Sequence, residues 1–195
     1  MKAVDLAPRA PRVTPLEPPF EAEIGALLQK LTPPNSPNVL ALFRVLAVNP
    51  RLTERMGALG GYLLGRSASI SLRDREIVID RICALAGAEY EWGVHVAAFA
   101  AAAQLAREEI SAITRVPARL ESLPERDKLL VRLADEVHET ANISDALWGE
   151  LAATWTPPQL LELILLAGWY RAIAGICNAA RVPLESWQAR FAEYS

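Results

Sequence analysis

Ala88-Glu89-Tyr90-Glu91-Trp92-Gly93-Val94-His95 is the stretch whose reading decides how this chain folds. Residues four apart on a helix share a face, so a helix through this run sets the Glu91 carboxylate beside the His95 imidazole. His95 is one of 2 histidines in 195 residues and stands among Val94, Val96, Ala97, Ala98 and Phe99. An imidazole in such surroundings needs a partner. A core histidine satisfied by a neighbouring carboxylate is the plain reading of the pair; a proton carrier is the functional one. Glu89 is turned about 200° from Glu91 on the same helix and so faces solvent or an interface.

Just upstream, Ser71 suits the N-cap of a helix over 72–86, with Asp74 placed to complement its positive end. That helix carries Glu76, Asp80 and Cys83 on one face, and Ile77, Ile82 and Leu85 make most of the rest apolar, which predicts a buried helix. The motif helix is expected over 89–104 with two stripes. One is Glu91-His95-Ala98; the other, Trp92-Val96-Phe99-Ala103, reads as core packing. The alanines at 97–98 and 100–103 allow a neighbouring helix to approach closely.

Elsewhere the punctuation is proline. Residues 1–19 hold five prolines, which forbid a helix and predict an extended arm. A helix is expected from Phe20 to Leu31, and another begun by Asn35-Ser36-Pro37 and ended at Asn49-Pro50. Further helices are expected over 51–65, from Glu108 to Thr114, from Pro124 to Thr140, over Ser144–Thr154 and over Pro157–Arg181. Period-2 alternation is nowhere sustained, so residues 20–195 read as one all-α domain.

At 52% hydrophobic content the chain can bury one substantial core, and a net charge of −3 without a basic block gives no support for nucleic-acid or anionic-membrane partners. Leu160 to Ala180 is apolar but interrupted by Glu162, Arg171 and Asn178, which favours a buried helix over a membrane span. The opening Met1-Lys2-Ala3-Val4-Asp5 predicts no export signal. Cys83 and Cys177 are too few for a disulfide framework and fit a reducing cytoplasm as small buried hydrophobes. His138 lies at no ligand spacing from His95, so no metal is expected.

Arg75-Glu76-Ile77-Val78-Ile79, followed by Glu89-Tyr90-Glu91-Trp92 and His95, resembles the carboxymuconolactone decarboxylase family and its relatives of the alkylhydroperoxidase D-like fold. Asn49-Pro50, Tyr170, Asn178 and Val182-Pro183-Leu184-Glu185 extend the likeness to roughly residues 38–185. The resemblance implies a single-domain orthogonal helical bundle. The peroxidase branch of these proteins carries a Cys-x-x-Cys pair and then a histidine; laid on this sequence, the thiol positions fall on Ala88 and Glu91 and the histidine on His95. Both thiols are missing, and the Glu-Tyr-Glu-Trp form is that of the decarboxylase-like branch. Gln104 stands where the family places a glycine at the end of the motif helix, which leaves the following loop open.

What the resemblance implies about activity is a cofactor-independent lyase acting on a small organic acid or lactone. His95 would carry the proton, Glu91 would orient it, and Glu76 would be the second carboxylate. Tyr170 and Trp92 would touch substrate. Arg73, Arg75, Arg81 and Arg171 could each recognise a carboxylate, although helix-face ion pairing is the plain role for any one. The alternatives are an alkylhydroperoxidase-like antioxidant enzyme, which needs a low-pKa thiolate and a resolving thiol, and a non-catalytic oligomeric binding protein. A homo-oligomer, trimer or hexamer, is expected by resemblance and from helices apolar on more than one face, with the proline-rich arm lying across a neighbouring subunit.

Overall fold

Side-chain caps and prolines open several of the helices. The computed structural model describes residues 10–32 and 38–194, where α1 spans Ala22–Leu31, α2 Ala41–Leu46 and α3 Pro50–Leu63. Asn49 caps α3 by accepting from the Leu52 amide, and Pro50 occupies the first turn, where no amide is needed. α4 (Leu72–Leu85) opens on Ser71, whose hydroxyl accepts from the Asp74 amide at 3.0 Å. α5, the motif helix, is Glu89–Phe99; α6 is Arg107–Thr114, α7 Glu125–Thr140, α8 Asp145–Ala152 and α9 Pro157–Ala180. Short 3-10 turns occupy Leu120–Ser122 and Phe191–Glu193, and no strand occurs among the described residues. The fold is all-α.

α4 is the central element, packed against α5, α6, α7 and α9. Every residue from Asp74 to Cys83 is buried, and four of the five charged side chains in that run are met by partners. Asp74 accepts from Arg126 at 2.6 Å and from the Trp155 indole at 2.9 Å; Arg81 donates to Asp135 and to the carbonyls of Ile113 and Arg115. Buried charge is tolerable only when paired in this way. The fifth, Asp80, keeps an Oδ1 without a hydrogen-bond partner.

α5 is buried from Tyr90 to Val96, and Ala97 and Ala98 are exposed. Tyr90 and Val94 enter a cluster with Leu42, Val45, Ile173 and Val182, whereas Trp92 and Val96 enter the main core with Ile77, Ile113 and Leu130. Glu91 and His95 lie on the face between these two. α9 sends Leu163, Leu166, Tyr170 and Ala174 into the interior. It is long and apolar enough to cross a membrane by length and composition, yet half of its most apolar window is buried within the fold.

Two expectations are corrected. α5 ends at Phe99 instead of reaching 104, and the chain turns back through Gln104, whose φ of 55° lies in the left-handed region that favours glycine. The turn is fastened from outside: the Gln104 carbonyl accepts from Arg73 at 2.6 Å, and Arg73 is itself held by Asp127 and Glu109. α2 begins only at Ala41; residues 33–37, with Asn35-Ser36-Pro37, lie outside the described residues, as do 1–9 of the arm. The rest of the arm packs on its own chain. The Arg12 and Val13 amides donate to the Ala180 carbonyl, and the Leu16 amide to the Arg44 carbonyl. The free carbonyls at the C-terminal ends of α9 and α2 supply acceptors that the few non-proline amides of the arm can reach.

Candidate active site

His95 sits at 4% exposure between partners from three helices. Its Nδ1 lies 2.7 Å from Glu76 Oε2 on α4, and its Nε2 lies 3.1 Å from the Tyr170 hydroxyl on α9. Glu91, one turn earlier on α5, is 3.6 Å from Nε2. The helix-spaced partner is therefore the looser one, and the carboxylate from α4 orients the ring. Glu76 is itself held by Arg75 at 2.8 Å, and Arg75 donates to the Leu64 carbonyl at 2.8 Å. Phe99 covers the ring: its centroid is 5.2 Å from that of His95 and 5.5 Å from the Arg75 guanidinium carbon.

Two effects oppose each other at His95. Burial would depress the imidazole, but the Glu76 carboxylate, with Glu91 behind it, outweighs burial and lifts it to about 10. At neutral pH the ring is an imidazolium with both nitrogens donating, to Glu76 and to the Tyr170 oxygen. The Tyr170 hydroxyl is pushed well above its ordinary value by burial and by the Glu91 and Glu76 carboxylates, so it stays protonated. Asp80 is driven well above the usual carboxylate range, first by burial and then by Glu76, against a smaller pull from His95. The arrangement is a buried proton donor flanked by carboxylates and one neutral hydroxyl, the elements of general acid–base catalysis.

The Carboxymuconolactone decarboxylase family model matches residues 50–130, the stretch that holds Glu76, Glu91 and His95. Over this stretch the chain is similar to the carboxymuconolactone decarboxylase family. A crystal structure of an uncharacterized peroxidase-related protein from Silicibacter sp. TM1040 superposes with a TM-score of 0.76 over 92% of this chain and 96% of its own, at 15% identity. That likeness concerns the fold, which is alkylhydroperoxidase D-like. No curated protein matches the sequence.

Of the residues singled out in the sequence, His95, Glu91, Glu76 and Tyr170 converge. Trp92 does not join them. Fully buried, it packs against Phe191 at a tilt and edge-on against Tyr194 and donates its indole N–H to Thr114, so its surroundings are those of a core residue. The rest of the motif is spent on residues 185–194, a C-terminal strap. Tyr90 donates to Glu185, Glu89 accepts from the Phe191 amide, and the Gly93 carbonyl accepts from the Ala189 amide. Glu89 thus faces a segment of its own chain. Gly93 is required by close approach: a Cβ there would stand 2.2 Å from the Ala189 carbonyl oxygen.

Three further residues lie at the cluster. Arg75 is one of four arginines considered, and it is the one placed against Glu76; Arg73 and Arg81 are engaged with Asp127 and Asp135. Asp80 shares the α4 face of Glu76, a spacing visible in the sequence. Cys177 is seven residues from Tyr170 and so on the same face of α9; its Sγ lies 3.8 Å from Glu91 Oε2. Both Cys177 and Cys83 are buried, free thiols that burial and Glu91 push up, away from thiolate.

Proposed function

We propose that this chain is a cofactor-independent lyase that acts on a small organic acid or lactone by general acid–base catalysis at His95. The observation that carries the reading is the buried His95 ring held by Glu76 and facing Tyr170, with Ala88 and Glu91 at the two positions where the peroxidase branch has thiols. In a decarboxylation the bond to the carboxylate breaks, CO2 leaves, and the electron pair passes to a carbonyl oxygen of the substrate. Tyr170, a neutral hydroxyl, donates to that oxygen, and His95 delivers its Nε2 proton to the carbon; solvent restores it. A dry site disfavours the starting carboxylate and so assists its loss. Arg75 makes no hydrogen bond through Nη2 among the described residues, which leaves one N–H edge for the carboxylate.

The alkylhydroperoxidase-like alternative needs a thiolate. Its nearest candidate, Cys177, lies beside a carboxylate that opposes ionisation. The lyase reading also carries a small-molecule partner and a reducing, cytoplasmic setting for the two free thiols. The test supplies a panel of β-keto acids and small lactones to the purified protein and measures CO2 release, lactone loss and, in D2O, deuterium at the product carbon. His95→Gln should lower turnover by roughly 10²–10⁴-fold while the chain stays folded. Dithiol-dependent hydroperoxide consumption that disappears in Cys177→Ser would favour the alternative.

A further inference from the structure

A cleft of about 520 Å³ opens between α6, the 3-10 turn Leu120–Ser122 and the C-terminal strap, and none of its lining residues belongs to the His95 cluster. Its size falls within the range of roughly 300–1,000 Å³ common to small-molecule sites. Three arginines line it. Arg107 is committed to the fold: it donates to the Glu193 carbonyl and lies over the Tyr194 ring at 4.6 Å. Arg115 and Arg119 are not. Neither guanidinium has a hydrogen bond or ion pair among the described residues.

The backbone that carries these two side chains is nonetheless fixed. The buried Arg81, anchored to Asp135 at 2.6 Å, donates to the Arg115 carbonyl at 2.6 Å and to the Ile113 carbonyl at 2.8 Å. Four residues on, the Arg119 amide donates to the Ala112 carbonyl at 3.1 Å. A short segment tied at both ends therefore presents two uncommitted guanidiniums to one concavity. Guanidinium N–H groups match the paired oxygens of carboxylates and phosphates, and preorganised donors lose less entropy on binding. Glu108 and Glu121 also line the cleft; their charge opposes long polyanions and leaves room for a small anion of low charge.

We propose that this cleft binds a small oxyanion-bearing molecule, a carboxylate or a phosphate, through Arg115 and Arg119. The site is independent of the proposed lyase chemistry.

The experiment titrates the full chain at low ionic strength with inorganic phosphate and, separately, with malonate, and follows heat and backbone amide shifts. Saturable one-site binding of either probe is expected, with the preferred probe identifying phosphate or carboxylate as the source of the anion. Arg115→Gln and Arg119→Gln should each weaken it by about tenfold or more, and Glu121→Gln should tighten it. Both arginine side chains lack internal partners, so these variants should keep the parent far-UV spectrum. Absence of saturable binding by both probes would overturn the proposal. So would binding that survives the Arg115→Gln/Arg119→Gln double variant, or that is lost in Arg75→Gln instead, since the anion would then belong to the His95 cluster.

Discussion

Glu76 Oε2 lies 2.7 Å from His95 Nδ1, with both side chains inside the protein. The pair sets a pH window. Because the folded-state value of His95, about 10, stands above its ordinary 6.5, its contribution to stability is complete below pH 6.5 and is lost as pH rises toward 10. Histidine-resolved NMR should show His95 still protonated at pH 8. His138, which burial and Arg171 depress, should titrate below 6.5. Glu76→Gln should bring the His95 midpoint down; an unmoved midpoint would mean that the carboxylate does not hold the proton.

Asp80 makes the opposite kind of claim. Its carboxyl is buried with an unpartnered Oδ1, and burial followed by Glu76 raises it well above 3.8. A raised acid stabilises the fold below its unfolded value and costs stability as pH climbs past it. Asp80→Asn should therefore gain stability relative to the parent at pH 8, on the order of 1 kcal/mol, and gain less at pH 4. Denaturant midpoints at the two pH values measure this, and a pH-independent difference would count against a protonated Asp80.

The thiols should be silent in the native state. Cys83 and Cys177 are buried and pushed away from thiolate, so a disulfide exchange reagent should label neither until the chain is unfolded in denaturant. Cys83→Ala and Cys177→Ala should preserve any lyase turnover apart from a loss of packing. Fast labelling of the folded protein would contradict this reading of the site.

Gly93 is where the motif helix meets the strap. A methyl group there collides with the Ala189 carbonyl at 2.2 Å and with the Gln188 amide nitrogen at 2.5 Å. Gly93→Ala should displace residues 185–194 and destabilise the chain by about 1–3 kcal/mol. Limited proteolysis should then cut the C-terminal segment faster than in the parent, whereas equal cleavage rates would show that the strap tolerates the change.

Self-association is the expectation that the surface of α9 motivates. Leu161 is 69% exposed and Leu165, one turn on, is exposed beside it, with Trp148 of α8 also open to solvent. Apolar area of this kind commonly marks an interface. Light scattering should give a mass that is a multiple of the 21.3 kDa chain, and Leu161→Glu with Leu165→Glu should lower it. A monomeric parent would remove the basis for an oligomer.

The sequence by itself determined the features that short-range chemistry controls. Ser71, Asn49-Pro50 and Ser144 start helices because a side chain reaches an amide three residues away, and each does so here. The Glu91–His95 pair follows from the pitch of one helix, as does the all-α class from the absence of strand periodicity. Only the tertiary structure decided which partner holds His95 most closely: Glu76, 19 positions earlier in the chain, at 2.7 Å, against 3.6 Å for Glu91. Packing likewise brought Cys177 against Glu91 across 86 positions, committed Trp92 to Phe191 and Tyr194, and turned Gln104 left-handed under the grip of Arg73. A helix repeats every 3.6 residues, so spacing reports contacts within about one turn. How two helices are set against each other depends on the whole core, and no local spacing records it.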